Sequence, residues 1–217
     1  FDSVMRAVRL MQEHRVDFNI LCCVQKANVD PPLEVYRFLR DEVGAQFIQF
    51  IPIVQRKLDN NGSETEGVTA LPVTGKAYGE FLMTIFDHRR TRDVGQIFVQ
   101  LFDIALGAWI GQPSSLCVFA ETCGRALVLE HNGDLFACDH FVRPDYLLGN
   151  ILETPLAEMV ESREQQLFGT AKRDSLAQKC LECKYRFICN GGCPKNRDEN
   201  GLNLLCEGYQ HFFHHIE

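Results

Sequence analysis

Apolar positions near the start of the chain recur at helical spacing. Val4, Val8 and Met11 form one stripe with Ala7 beside them, and Ser3 precedes them as a candidate cap. Residues 16–24 (VDFNILCCV) replace that period with a mostly apolar run rich in strand formers, the pattern of a buried strand. Pro31 and Pro32 open a second helical stripe of Tyr36, Leu39 and Val43, which Gly44 closes. A second apolar run follows over 47–54. Helix, strand, helix, strand is the grammar of a parallel sheet with crossover helices. Residues 55–75 are polar and glycine-rich and predict a surface loop. A helix is expected over 76–88, a short strand over 97–101 and a helix over 103–110. Residues 111–115 (GQPSS) then read as a hinge.

Beyond the hinge the pattern changes. Apolar runs within 125–138 flank His131-Asn132-Gly133-Asp134, which predicts a β-hairpin closed by an Asn-Gly tight turn. Thr154 and Pro155 predict the cap and first-turn proline of a helix. After it the chain is cysteine-rich and shows little regular period. Near the C-terminus, His211, His214 and His215 surround Phe212 and Phe213, as in an amphipathic helix docking through its phenylalanines. The expected fold is therefore an α/β region over 1–111, followed by an irregular α+β region over 112–217 that contains the hairpin.

Composition narrows the function classes. The 217 residues are 46% apolar and 24% charged, which suits a folded, soluble protein. A net charge of -7 without a basic tract argues against nucleic acid as the main partner. No eighteen-residue apolar run exists, so no membrane span is expected. The chain opens on Phe1, already in a helical pattern and without a signal peptide. This predicts a cytoplasmic protein and a start inside a longer polypeptide.

Ten cysteines are many for this length. Disulfides suit small secreted domains, whereas this chain has a sizeable core and bunches its thiols as metal sites do. Eight of them fall as Cys117, Cys123 and Cys138, then Cys180, Cys183, Cys189, Cys193 and Cys206; the second group reads C-x2-C-x5-C-x3-C-x12-C. Eight thiolates make two sets of four, the number two [4Fe–4S] clusters need. Three upstream and five downstream ligands balance only if one crosses over. In two-cluster ferredoxins the last cysteine of C-x3-C-P serves the other cluster, and Cys189-Asn190-Gly191-Gly192-Cys193-Pro194 has that form. The expected sets are therefore Cys117, Cys123, Cys138 and Cys193, and Cys180, Cys183, Cys189 and Cys206. Gly191 and Gly192 would let the backbone pass close to a cluster. Zinc in four-cysteine sites uses the same C-x2-C pairs and stays open as the alternative. Cys22 and Cys23 sit in a predicted strand, where neighbours point to opposite faces, and read as buried apolar thiols.

The spacing Cys117-x5-Cys123-x14-Cys138 with the downstream five resembles the SPASM extension of radical S-adenosylmethionine enzymes. NGDLFACDHFV (132–142), LLGNI (147–151), CLECKYRFICNGGCPKNR (180–197) and LNLLCEGYQHFF (202–213) resemble anaerobic sulfatase-maturating enzymes in particular. FNILCCVQKANV (18–29) and QFIQFIPIV (46–54) resemble the last strands of their partial (β/α)6 barrel. The resemblance implies an enzyme that oxidises a Cys or Ser of a sulfatase polypeptide to Cα-formylglycine, with a SPASM maturase of another peptide, or a zinc-binding structural module, as the alternative. There, S-adenosylmethionine is cleaved at a third [4Fe–4S] cluster to a radical that takes hydrogen from the target Cβ. A flavodoxin or ferredoxin is the implied electron donor. The C-x3-C-x2-C motif of that third cluster is missing upstream of residue 117, so the chain alone is expected to be inactive. Asp139, directly after Cys138, matches the family's proposed base for the substrate thiol or hydroxyl; a carboxylate bonding backbone N–H groups is the structural alternative. His140 is a weaker relay candidate. Val54, at the C-terminal end of the second predicted strand, is placed to pack against the adenine of S-adenosylmethionine or to serve as an ordinary core valine.

Overall fold

The first helical stripe folds as α1 (Asp2–Glu13) in a computed structural model that describes residues 1–58 and 64–217. Phe1 rather than Ser3 occupies the cap position, with no side-chain bond, and Asp2 supplies the favourable charge in the first turn. Val8 is buried and Val4 exposed. Strand β1 (Ile20–Val24) starts four residues later than the apolar run. Val16 N–H still donates to Met11 O at 2.8 Å, so these residues close the helix before the strand begins.

Helix α2 (Pro32–Arg37) runs into a π-helical turn over Phe38–Glu42, and Tyr36, Leu39 and Val43 are buried as the stripe requires. Gly44 reverses the chain at φ +68°. Strand β2 (Phe47–Pro52) pairs parallel with β1, Ile20 opposite Ile48. Residues 55–75 are not wholly loop: β3 (Arg56–Leu58) and β4 (Glu64–Val68) pair antiparallel, while 59–63 fall outside the described residues. A polar ribbon needs only backbone pairing and so carries no apolar alternation to read.

Helix α3 (Gly75–Arg92) is capped by Thr74, whose Oγ1 accepts from Ala77 N–H at 3.2 Å. It buries Tyr78, Phe81, Leu82 and Ile85. Strand β5 (Phe98–Val99) completes a three-stranded parallel sheet in the order β1-β2-β5, and α4 (Gln100–Trp109) follows.

The hairpin forms between β6 (Val128–Leu129) and β7 (Asp134–Phe136). Its turn is not the expected two-residue Asn-Gly type, which needs positive φ at both central residues; only Gly133 has it, at +92°. An unforeseen third strand, β8 (Leu147–Asn150), pairs antiparallel with β7. The following helix α5 (Leu156–Val160) has Pro155 at its cap position and no cap bond from Thr154. Helix α6 (Arg163–Asp174), absent from the sequence reading, is capped by Ser162 Oγ accepting from Gln165 N–H at 3.1 Å. The short helices α7 (Gln178–Leu181) and α8 (Arg186–Cys189) precede α9 (Cys206–His215).

The fold is thus mixed α/β with small sheets, in two compact units. Phe1–Leu106 and Glu207–Glu217 make the first, and Gly107–Cys206 the second. The final helix therefore joins the parallel sheet's unit, where the 112–217 boundary had grouped it with the cysteines. Phe212 stacks on Phe102 with centroids 5.3 Å apart, and Phe212 and Phe213 are fully buried. Among the described residues no helix is long and apolar enough to cross a membrane.

Candidate metal centre

The eight spaced cysteines lie on short elements of the second unit, and local chain chemistry explains each position. Cys117 sits in a turn in which Phe119 N–H donates to Leu116 O at 2.9 Å. Cys123 N–H donates to Gly169 O at 3.1 Å; a Cβ on Gly169 would lie 2.6 Å from Cys123 O, so only glycine lets α6 approach this closely. Cys138 follows β7 and opens a turn closed by Phe141 N–H donating to Cys138 O at 3.0 Å. Cys180 lies on α7 with Cys183 just beyond it, Cys189 ends α8, and Cys206 begins α9. Between Cys189 and Cys193 the chain takes three consecutive left-handed residues: Asn190 (φ +46°), Gly191 (+72°) and Gly192 (+62°). Added β-carbons there would collide with Leu176 and Asn203 side chains, which accounts for both glycines.

Beyond this reversal the Cys193 sulfur faces the turn that follows Cys138, 3.4 Å from His140 Nδ1. The Cys123 sulfur is within electrostatic reach of Cys193 and Cys117, Cys138 of Cys193, and Cys193 of Cys117. In the other group Cys189 feels Cys206, Cys180 and Cys183, and Cys206 feels Cys180 and Cys183. These electrostatic couplings link Cys193 to each of the upstream three and Cys206 to Cys180, Cys183 and Cys189. Among the described residues no three His, Cys, Asp or Glu side chains are disposed to hold a single metal ion. A tetrahedral zinc would draw four sulfurs to about 3.8 Å from one another.

Burial raises the thiol pKa throughout. Cys138 and Cys189 are each pushed up to about 12, desolvation being the largest cause, with Asp139 adding to it at Cys138 and Cys206 at Cys189. Desolvation likewise lifts Cys123, Cys180, Cys193 and Cys206. Backbone N–H groups oppose it: Gly191 bonds the Cys189 sulfur and Lys195 the Cys193 sulfur. Thiols so placed lose their protons to solvent readily only when a cation binds the sulfur, which is the chemistry of a ligand set. A second observation fits a cluster. The buried Asn203 Nδ2 has no acceptor among the described residues, although its side chain lies against Gly192 between the two groups in sequence. Bridging sulfides offer acceptors for such a donor.

Asp139 and His140 are exposed on the turn after Cys138. Asp139 Oδ1 lies 3.2 Å from Cys138 Sγ, and His140 Nδ1 lies 3.4 Å from Cys193 Sγ. Beside them, a half-open cavity of about 580 Å³ is walled by Cys123, Phe141, Tyr146, Phe168 and Pro194. The Phe141 and Tyr146 ring centroids are 4.8 Å apart, so aromatic packing covers this side of the first set.

Val54 belongs to the first unit. It lies two residues beyond the end of β2 rather than within the strand, and is half-buried. Cys22 and Cys23 point to opposite faces of β1, as expected, but only Cys22 is partly buried, and burial pushes its thiol up to about 11. Cys23 is exposed, contrary to the reading of both as core thiols.

Two cations escaped the sequence reading. Lys172 and Arg197 are both buried. Arg197 donates to Lys172 O at 3.0 Å and Ser175 Oγ at 3.1 Å, and feels Cys180 and Cys189 of one set as well as Cys193 and Cys123 of the other. Burial pushes the Lys172 ammonium down to about 8, and the neighbouring Cys123, Cys193 and Cys117 oppose that shift. The signal that would have found Lys172 is faint. The buried face of α6 is Gln165, Gly169 and Lys172, a helical stripe without one apolar side chain.

Comparison with known proteins adds independent findings. The SPASM family, described as an iron–sulfur cluster-binding domain, matches residues 117–184, which hold five of the eight cysteines. A serine-type anaerobic sulfatase-maturating enzyme of Bacteroides thetaiotaomicron is 42% identical over the whole chain, which covers 56% of that protein. A cysteine-type counterpart from Clostridium perfringens is 28% identical over 98% of the chain and 58% of its own length. The solved structure of native anSMEcpe with bound AdoMet and Cp18Cys peptide superposes at a TM-score of 0.87 and 27% identity. It matches all of this chain and 60% of its own. The chain thus spans less than two thirds of these relatives' length. Residues 117–184 match the SPASM family, and the chain is similar from end to end to part of the anaerobic sulfatase-maturating enzymes.

Proposed function

We propose that this chain supplies two auxiliary [4Fe–4S] clusters to a radical S-adenosylmethionine enzyme that oxidises a sulfatase side chain to Cα-formylglycine. The observation that supports the proposal is Cys193 Sγ at 3.4 Å from His140 Nδ1, on the turn after Cys138, with electrostatic coupling of Cys193 to the upstream cysteines; on this reading Cys117, Cys123, Cys138 and Cys193 form one set and Cys180, Cys183, Cys189 and Cys206 the other. Serine is the proposed target, since serine-type relatives reach 42% identity and the cysteine-type relative 28%.

When bound, the clusters would supply acceptors for the electron released as the substrate carbon is oxidised. Asp139 is the proposed base. Its carboxylate stands on an exposed turn one residue from ligand Cys138, so the substrate hydroxyl's proton leaves beside the path of its electron. Phe141, Tyr146 and Phe168 would give the first set an apolar wall on the side of the cavity that Cys123 also lines. In the first unit, β1, β2 and β5 are proposed as the closing strands of a partial (β/α)6 barrel, over residues 1–111, with the auxiliary-cluster region at 112–217. Val54, just past the C-terminal end of β2, would pack against the adenine of S-adenosylmethionine. S-adenosylmethionine cleavage at a third [4Fe–4S] cluster, the sulfatase partner and a flavodoxin or ferredoxin donor belong to the full-length protein, in the cytoplasm.

The test uses that protein, reconstituted anaerobically and given a seryl sulfatase peptide. Formylglycine is expected, and Asp139→Asn should lower its rate about 10²–10⁴-fold with iron content unchanged. A variant as fast as the parent would remove Asp139 from the mechanism. A colourless protein holding zinc after reconstitution would overturn the cluster assignment.

A further inference from the structure

Lys172 is the most deeply buried charged side chain among the described residues, at 1% exposure. Its Nζ donates to Cys117 O at 2.7 Å, to Val118 O at 2.9 Å and to Ala120 O. All three carbonyls belong to the turn that presents Cys117. Three donors on three acceptors exhaust the ammonium's hydrogen-bonding capacity and tie that turn to α6. No carboxylate of the described residues pairs with it. The groups facing it that become anionic as cluster ligands are the sulfurs of Cys123, Cys193 and Cys117, every one from the first set. A buried ammonium held by neutral carbonyls alone is costly, and it is stable only where a nearby negative charge offsets its lost hydration. Four thiolates around a [4Fe–4S] core leave about two negative charges when oxidised and about three when reduced. The need on each side matches the other.

We propose that Lys172 is the positioning residue of the first cluster site: it fixes the Cys117–Ala120 turn through three carbonyls and sets that cluster's reduction potential with its charge. This rests on the iron–sulfur reading above. The sign follows from the charges. A fixed cation favours the more negative, reduced cluster and raises its potential, so the first cluster is held as the better electron acceptor, next to Asp139. Arg197 gives an internal contrast. Its guanidinium feels thiols of both sets, so its influence is shared, whereas that of Lys172 falls on one.

The experiment uses the full-length protein after anaerobic reconstitution, with Lys172→Met and Lys172→Gln variants. Iron is counted and each cluster is titrated by paramagnetic resonance. Glutamine keeps a donor for the turn without the charge; methionine removes both. The expected result is that the glutamine variant keeps its iron while one cluster becomes at least tenfold harder to reduce, ~59 mV for one electron, and the other is unmoved. Selective loss of one cluster in the methionine variant would also support the positioning role. Unchanged potentials in both variants would overturn the proposal, as would equal loss or equal shift of both clusters. A parent protein that takes up no iron would instead sink the iron–sulfur reading itself, a result distinct from either.

Discussion

The two units bury different things. In the first, Tyr36, Tyr78, Phe81, Leu82, Ile85, Phe212 and Phe213 close a core of aromatic and aliphatic side chains around a parallel sheet. Among its polar groups Tyr36 O–H donates to Asp93 at 2.8 Å, Arg40 reaches the same carboxylate at 3.0 Å, and Arg89 donates to Ile97 O at 2.7 Å. In the second, Phe119, Leu135, Met159 and Ile188 share the interior with Cys180, Cys193, Gln165, Lys172, Arg197 and Asn203. Hydrophobic burial drives the one. The other brings together desolvated thiols and cations, whose mutual compensation the proposed metal centres would complete. On that proposal the chain folds one half by excluding water and the other by coordinating metal.

The sharpest way to break this contrast is to remove iron. Chelation of the reconstituted protein should abolish hydrogen-exchange protection across α6, α7 and α8 while α3 keeps its own. Equal loss in both units would contradict the division. A smaller but large effect is expected from the opposite side. Phe212→Ala removes a fully buried ring packed on Phe86 and Phe102 and should cost the first unit about 3–5 kcal/mol in urea unfolding, with iron content unchanged. Loss of iron in that variant would mean that the units are not energetically separate.

The smallest effect concerns pH. His88 is lowered from its ordinary value, first by desolvation and then by Arg37; Arg40 Nη1 lies 3.4 Å away and Asp93 acts in the opposite sense. A histidine that binds its proton less well when folded contributes stability above about pH 6.5 and loses it as the pH falls through that value. The first unit should therefore melt slightly lower at pH 5.5 than at 7.5, and His88→Asn should flatten that slope. An identical slope in the variant would assign it to other groups.

The difference between the units also explains what could be read in advance. Apolar periodicity located α2, α3, the parallel strands and the phenylalanine face of α9, because there the period and the burial coincide. It failed at α6, whose inward face is Gln165, Gly169 and Lys172, and at β8, which is short and contains Gly149. The β3–β4 ribbon carried no apolar signal at all. The proposed thiol sets come from ligand count and C-x3-C-P spacing, which constrain a pairing without regard to fold. The residues serving those thiols were not legible in advance, since Lys172, Arg197 and Asn203 act over contacts 22 to 55 residues apart or through an unpaired buried atom that no local pattern encodes.

Cys193 decides whether the two cysteine groups cross. In the full-length protein, reconstituted anaerobically, Cys193→Ala and Cys138→Ala should each abolish the same paramagnetic cluster signal and about four irons, while Cys206→Ala abolishes the other. If Cys193→Ala instead removes the signal lost in Cys206→Ala, the crossed arrangement is wrong.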